Sequence, residues 1–314
     1  MQPPYDTHAP YAPTPPPVPK LDFGHTVSTA FKIYKARFSR FLGVAAIAAA
    51  VVFISMSIVM VLSAETIEQW GYSLEHSSSF SSQSIWWFSV ALGVVMGLSS
   101  LVGYWGSLAC CVVADGELKG NQMSLGQASR IAISRLRSLV PIGLALGVVY
   151  VFLMVGMVWW INHFMSTTMY SAEEQIVVSV LAFILIICIL SIGSSVLIYV
   201  FTSKWFVTHP VMVAENTTVW KGISRSNSLT KGSAGIVFLI ILVMGFAIGI
   251  VAQLVIMPMS FAMSLSQTLV DNSALLLVAS LFAGCLVAMF VIPIMPIISQ
   301  VVYWNRTSLV EHAR

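Results

Sequence analysis

The chain has 314 residues, of which 58% are hydrophobic and only 9% are charged, and its formal net charge is +3. A water-soluble domain needs roughly 25% charged residues to cover its surface, so this composition excludes a soluble globular protein and indicates a membrane protein. The apolar segments lack the ~10-residue alternation of barrel strands, which leaves α-helices as the expected spanning elements.

The N-terminal segment, residues 1–19, is rich in proline and has no apolar periodicity. We interpret it as a disordered, partly polyproline tail on the cytoplasmic side, with docking to a partner as the alternative. No short apolar core followed by a small-residue cleavage site is present near the N-terminus. We therefore expect no removable signal peptide, and the first span is interpreted as an uncleaved anchor.

Five or six segments contain more than about 18 apolar residues, which is enough for a helix to cross about 30 Å of hydrocarbon. We place the spans at 41–63, 85–113, 140–165, 176–201, 233–258 and 274–299. These spans make residues 20–305 an all-α polytopic membrane domain, with a cytoplasmic tail at 306–314. Pro293 and Pro296 are expected to kink the sixth span.

The distribution of positive charge predicts the orientation of the chain. All 15 Lys and Arg residues lie in the N-terminal segment, the loops after spans two and four, or the C-terminal tail. The alternate loops, 64–84, 166–175 and 259–273, contain none. The positive-inside rule therefore predicts that both termini are cytoplasmic. A cysteine placed at Ser226 should then be labelled only from the cytoplasm.

A basic, amphipathic segment precedes each of spans one, three and five, and such helices are suited to the inner headgroup layer. The predicted apolar face of the first consists of Val27, Ala30, Phe31, Tyr34, Phe38 and Phe41. The predicted stripe of the second consists of Leu125, Ala128, Ala132, Leu136 and Leu139. In the third, Trp220 and Ile223 share a face, Asn216 or Thr217 is expected to cap the helix, and Gly232 to end it.

These three segments suggest an internal repeat. Aligning Ala30, Ala128 and Gly222 gives spacings of 98 and 94 residues. The predicted fold is therefore six transmembrane helices in three hairpins, each hairpin preceded by a cytoplasmic interfacial helix.

Basic residues of these segments are the candidate contacts for anionic lipid headgroups, at about 1 kcal/mol each. The candidates are Lys32, Lys35, Arg37, Arg40, Arg130, Arg135, Arg137, Lys221, Arg225 and Lys231. Membrane lipids explain these charges without a nucleic-acid partner.

Small residues four apart occur inside several spans. The pairs are Gly93–Gly97, Gly143–Gly147, Ser191–Ser195 and Gly245–Gly249. Such pairs let helices approach closely in lipid, where no hydrophobic drive brings helices together. We expect intramolecular packing at these seams, with a homo-oligomer contact or a membrane-protein partner as the alternative.

The search for reactive groups gives a negative result. No charged residue lies inside a predicted span, which argues against proton-coupled carriers and ion pumps. The six histidines show no metal-ligand spacing, and the four cysteines all fall in predicted spans. No hydrolase elbow, Walker loop or dinucleotide fingerprint is present. We therefore predict neither an enzyme nor a bound cofactor or metal.

The block at 209–242 resembles a family of bacterial six-span proteins that includes the membrane domain of some glycerophosphodiester phosphodiesterases. The matching residues are Pro210, Glu215, Trp220, Ser226 or Ser228, and 229–232. The chain also ends in a similar cluster of Tyr303, Trp304, Asn305 and Arg306. No phosphodiesterase domain follows, and Gly222 and Ser224 depart from the pattern. The resemblance implies a bacterial inner-membrane protein and implies no catalytic residue.

Two functional hypotheses remain. The first is a non-catalytic inner-membrane scaffold or envelope protein that organises lipids or partners. The alternative is a passive carrier or lipid-handling transport protein with a cavity near the kinked sixth span.

Overall fold

The computed structural model describes residues 21–62, 82–168, 185, 203–266 and 273–312. Every regular element in these ranges is an α-helix. In chain order they are α1 (Phe23–Ala36), α2 (Phe38–Leu62), α3 (Ser82–Leu118), α4 (Leu125–Leu136), α5 (Val140–Thr168), α6 (Thr208–Ala214), α7 (Val219–Thr230), α8 (Ala234–Ser266), α9 (Ser273–Val291) and α10 (Ile294–His312).

Within these ranges, four stretches are long and apolar enough to cross a membrane, namely Phe38–Leu62, Trp86–Leu118, Ala234–Pro258 and Leu281–Ser308. A fifth results if α4 and α5, which are bent by 70° at their junction, count as one span. The chain is therefore a helical membrane protein. Apart from residue 185, the fourth predicted span at 176–201 lies outside the described ranges. The predicted loop at 259–273 is helical up to Ser266.

The name short helices is kept for α1, α4 and α7, whose N-caps are Asp22, Ser124 and Thr218; only the first two make side-chain capping bonds. The Asp22 carboxylate accepts hydrogen bonds from the backbone N–H groups of Gly24 and His25. Ser124 and Gln127 form a reciprocal capping box. The N-cap of α7 is Thr218, so the expected cap at Asn216 or Thr217 is wrong. Asn216 instead turns the chain between α6 and α7, with a φ of 54°.

Gly232 ends α7 as expected, with a φ of 82° that a side chain would disfavour. The helix itself stops at Thr230.

Each short helix buries small residues four and eight positions after its N-cap. These residues are Thr26 and Ala30 in α1, Ala128 and Ala132 in α4, and Gly222 and Ser226 in α7. A Cβ at Gly222 would lie 3.1 Å from Met212 Cγ, which shows how closely α7 approaches α6. The caps thus give a register in which Thr26, not Ala30, corresponds to Ala128 and Gly222.

The apolar face predicted for α1 is wrong in part. Thr26, Ala30 and Ile33 are buried, whereas Phe31 is 45% exposed and Phe38 is also exposed. The stripe predicted for α4 is confirmed, because Ala128, Ala132 and Leu139 are buried and Leu125 and Leu136 pack against the core.

In α7, Trp220 is 72% exposed while Ile223 packs partly against the core. These two residues therefore do not share one environment, contrary to the sequence-based expectation.

The helix contacts follow a cyclic order at one end of the bundle. The C-terminal part of α3, the seven-residue α6 and the N-terminal half of α10 contact one another pairwise. On them pack α4 against α3, α7 against α6, and α1 against α10. We call this region the short-helix end. Its fully buried side chains include Leu108, Val112, Val211, Met212, Ile298 and Val302.

Away from this end, α3 and α5 cross at glycines. A Cβ at Gly97 would lie 3.1 Å from the Cα of Gly147, and one at Gly93 would overlap Val151. The predicted packing of Gly93–Gly97 and Gly143–Gly147 within the chain is thus confirmed. A Cβ at Gly249, by contrast, would meet nothing within 4 Å.

The sixth predicted span is broken rather than continuous. α9 ends at Val291 and α10 begins at Ile294, with Pro293 in the break. Proline has no N–H and cannot continue the hydrogen bonding of α9. The helix is thus interrupted at Pro293, Pro296 lies in the first turn of α10, and Leu281–Ser308 still forms one stretch long enough to cross a membrane.

Candidate functional site

A carboxylate lies buried at the short-helix end. Asp115, in the last turns of α3, is only 7% exposed. Its Oδ1 accepts hydrogen bonds from Gln300 Nε2 and Trp304 Nε1, both at 3.0 Å, and its Oδ2 accepts one from Lys119 Nζ at 2.6 Å. The Lys119 ammonium also lies 5.9 Å from the centroid of the Trp304 ring. The pairs Asp115–Lys119 and Gln300–Trp304 are each spaced by four residues, so one face of α3 meets one face of α10.

A second carboxylate connects α6, α7 and α10. Glu215, at the C-cap of α6, accepts hydrogen bonds at Oε1 from Arg225 Nε at 3.1 Å and from the Tyr303 hydroxyl at 3.3 Å. Arg225 and Glu215 are both partly exposed, so solvent screens this ion pair more than the Asp115 contacts.

The junction of α1 and α2 is tied to the end of α3. Arg37 pairs with Glu117 through Nε and Oε2. Arg40 donates to the carbonyl oxygen of Met123 at 2.7 Å. All three carboxylates near the end of α3 and α6 are therefore held by basic side chains of the same chain.

Further hydrogen bonds fix α7. The buried Ser226 hydroxyl donates to the carbonyl of Lys204 at 2.8 Å. Arg306 of α10 donates to the carbonyls of Leu229 and Lys231, at 3.1 and 3.2 Å. These bonds satisfy carbonyl groups that a helix end otherwise leaves without partners.

The break between α9 and α10 is covered by α1. The Tyr34 hydroxyl donates to the carbonyl of Phe290 at 3.0 Å. The rings of Phe38 and Phe290 stack with their centroids 6.3 Å apart. Burial raises the pKa of Tyr34, so its hydroxyl keeps the proton that it donates.

The structure brings together one serine–histidine pair that sequence analysis missed. Ser107 Oγ lies 3.0 Å from Nδ1 of His209. Burial lowers the pKa of His209 to about 4, so the ring is neutral at pH 7. The tautomer of this neutral ring sets which of the two groups donates the hydrogen bond.

A serine hydrolase also needs an orienting carboxylate and donors for an oxyanion. In the described part of the chain, no carboxylate is hydrogen-bonded to His209. The pair joins α3 to α6.

Within the described ranges, no group of three or more His, Cys, Asp or Glu side chains is placed to bind a metal ion. Cys110 and Cys111 are buried and free, and Cys285 is partly buried and free. Cys188 lies outside the described residues.

The ten predicted headgroup contacts divide into two groups. Six have exposed side chains, namely Lys32, Lys35, Arg130, Arg137, Lys221 and Lys231. Arg37, Arg40 and Arg225 are engaged within the protein, as described above. Arg135 is partly buried, with its Nε enclosed and without a hydrogen-bond partner.

Sequence analysis did not identify the Asp115 cluster. The predicted second span ended at residue 113, whereas α3 continues to Leu118 and carries Asp115 into the protein. One signal was present in the sequence: Asp115 and Glu117 are acidic residues in an otherwise basic loop, and Lys119 follows Asp115 by four positions.

An apolar groove of about 530 Å³ runs along α8. Gly245 and Gly249 form part of its wall, and Gln253 contributes a polar side chain. The groove thus lies on the helix of the fifth predicted span.

Comparisons with models of protein families, with curated proteins and with solved structures found no match.

Proposed function

We propose that this is a non-catalytic protein of the bacterial inner membrane that organises lipids or membrane-protein partners. In this proposal, six spans form three hairpins, both termini are cytoplasmic, and α1, α4 and α7 lie in the inner headgroup layer. The bacterial inner-membrane location rests on the resemblance found in the sequence alone, since no family model matches the chain.

One observation carries the proposal. At the short-helix end, Asp115, Glu117 and Glu215 are each engaged by a basic side chain of the same chain. Seven further basic residues there have exposed side chains: Lys32, Lys35, Arg130, Arg137, Lys204, Lys221 and Lys231. Their charge is left for an external anion, and the anionic lipids of an inner leaflet supply one over a wide surface.

Exposed apolar side chains on the same helices support an interfacial position. Phe31, Ile133 and Trp220 lie on α1, α4 and α7 and are 45%, 54% and 72% exposed. A helix that combines basic residues with exposed apolar side chains is stabilised in the headgroup plane. The basic residues contact anionic headgroups there, and the apolar side chains contact the acyl chains.

The first experiment tests the orientation. Ser226 is buried and hydrogen-bonded, so Ser228, which is exposed, replaces it as the labelling position. With the four native cysteines changed to alanine, a cysteine at Ser228 should react with an impermeant maleimide only in inside-out vesicles. Labelling in right-side-out vesicles would contradict the cytoplasmic position of α7.

The second experiment tests the interaction with lipids. Purified protein is titrated with phosphatidylglycerol and with phosphatidylcholine, and bound lipids are counted by native mass spectrometry. We expect preferential retention of phosphatidylglycerol, because the exposed basic residues attract net negative headgroups. Equal retention of the two lipids would refute the proposal.

The groove on α8 and the break between α9 and α10 favour a second candidate, a passive lipid-handling carrier. This candidate predicts that the protein accelerates the exchange of fluorescent phosphatidylcholine between leaflets of proteoliposomes. Gly249→Leu would place a side chain in the groove and slow that exchange. Exchange no faster than in protein-free vesicles would exclude this candidate.

A further inference from the structure

Three basic residues lie at the same distance from the N-caps of α1, α4 and α7: Lys35 in the last turn of α1, and Arg137 and Lys231 as the C-cap residues of α4 and α7. Lys35, Arg137 and Lys231 each lie 13 residues after the N-cap of their helix, counted from Asp22, Ser124 and Thr218. All three side chains are exposed. Counted from the same N-caps, small buried residues lie at positions four and eight of α1, α4 and α7.

Helix geometry explains why this position faces outward. Successive residues turn by about 100° around the axis, so the thirteenth position lies about 180° from the fourth and about 140° from the eighth. The fourth and eighth positions face the bundle, and the thirteenth therefore faces away from it. It also lies at the end of each short helix, next to the start of α2, α5 or α8.

The neighbouring basic residues do not share this regularity. Lys32, Arg130 and Lys221 are equally exposed but lie 10, 6 and 3 residues after their N-caps. Arg37 and Arg225 are bound to Glu117 and Glu215. The repeated position thus differs both from the exposed residues around it and from the internally paired ones.

We propose that Lys35, Arg137 and Lys231 form three equivalent subsites for the phosphate of an anionic lipid headgroup. The protein would then hold three such lipids, one at the end of each short helix. Ammonium and guanidinium groups both form charge-assisted hydrogen bonds with phosphate oxygens, so a Lys and an Arg can serve at equivalent positions. This inference rests on the proposed function, because it requires the short-helix end to face an anionic leaflet.

The test compares two triple variants by native mass spectrometry during titration with phosphatidylglycerol. The first carries Lys35→Gln, Arg137→Gln and Lys231→Gln. The matched control carries Lys32→Gln, Arg130→Gln and Lys221→Gln, which removes the same charge from the same three helices. We expect the first variant to bind each of its three lipids about fivefold more weakly than the wild type. The control, which removes basic residues that attract anionic lipid over the whole surface, should keep three sites and lose clearly less affinity than the first variant.

Single substitutions test whether each of the three residues forms one subsite. Each of Lys35→Gln, Arg137→Gln and Lys231→Gln should lower the number of tightly bound lipids from three to two, and Arg137→Lys should retain three. Inorganic phosphate should not displace the lipids if the acyl chains contribute to binding. Thermal unfolding checks that all variants fold, which is expected because the altered side chains are exposed.

The outcomes separate this inference from the proposed function. If the control loses as much binding as the first variant, the positive charge acts as a diffuse patch and the three subsites are refuted. If the first triple variant binds three lipids as tightly as the wild type, the subsites are likewise refuted while lipid binding stands. A wild type with no preference for phosphatidylglycerol would overturn both the subsites and the proposed function.

Discussion

α3 packs against α5 and against α10 through two different kinds of contact. At Gly93 and Gly97, α3 meets α5 through backbone contact, and the helices approach because no side chain intervenes. At Asp115, the same helix meets α10 through a buried carboxylate that accepts three hydrogen bonds. The first contact depends on shape alone, whereas the second depends on charge and on donors. Both kinds of contact are needed in lipid. The lipid tails are as apolar as the helix surfaces, so burial of apolar surface alone does not drive helices together.

The largest expected effect comes from breaking the polar contact. Asp115→Ala removes the acceptor for Gln300, Trp304 and Lys119 and leaves buried donors without partners. We expect a loss of about 4 kcal/mol in the free energy of unfolding. Unfolding in mixed detergent micelles, followed by tryptophan fluorescence, measures it.

Glu117→Ala is the matched control, because its pair with Arg37 is about a quarter exposed and screened by solvent. A loss for Asp115→Ala no greater than for Glu117→Ala would show that burial of the carboxylate adds nothing.

The second-largest expected effect is a loss of folding stability at low pH. It arises at the buried His209 and not at the apolar contacts. Burial lowers the pKa of His209 to about 4, against about 6.5 in an unfolded chain. Between these values the unfolded state binds the proton more readily, so stability is fully present above pH 6.5 and is lost as the pH falls towards 4. The loss should approach about 3 kcal/mol at most.

Comparison of wild type with His209→Gln over this pH range measures the contribution of the imidazole. Identical pH profiles for the two proteins would show that His209 is not the titrating group.

A smaller effect is expected at the glycine seam. Gly97→Ala places a methyl group about 3 Å from the backbone of Gly147, so the helices must separate. We expect a loss of about 2 kcal/mol, independent of pH and salt. Gly103→Ala on the same helix is the control, because its methyl group would meet nothing within 4 Å. If both substitutions have the same effect, helix propensity rather than close approach governs the seam.

The smallest effect concerns the break between α9 and α10. Tyr34→Phe keeps the ring and removes only the hydrogen bond to the Phe290 carbonyl. We expect a loss of about 1 kcal/mol, with faster amide hydrogen exchange confined to residues 290–297. Tyr104→Phe, in which the altered ring packs against His209, should leave exchange at those residues unchanged. Unaltered exchange in Tyr34→Phe would mean that α1 does not restrain the break.

Much of the architecture was predictable because membrane helices are specified by local composition. The apolar segments, the amphipathic α4, the seam at Gly97 and the break at Pro293 all follow from residues close together in sequence. The spacing of the N-caps is equally local, yet aligning Ala30 with Ala128 gave a register one helical turn away from that set by Asp22 and Ser124.

The contacts of Asp115 were not predictable in the same way. Gln300 lies 185 positions from Asp115, and no periodicity in either helix specifies the other as its partner. The buried face of α1 was predicted wrongly for a related reason. Whether Phe31 or Ile33 is enclosed depends on the place of α10, and both are apolar residues of an amphipathic helix.

The position of α1 has a consequence for biosynthesis. Tyr34 and Phe290 are 256 positions apart, and α1 also packs on α10, so α1 reaches its partners only after the ribosome has made α9 and α10. At roughly 5–20 residues per second, this delay is on the order of 13 to 50 seconds. During that time α1 can complete its own helix but not its packing against α9 and α10. The order of synthesis therefore makes the packing of α1 a late step. The contacts of the short-helix end are complete only after the C-terminal helices α9 and α10 have been inserted.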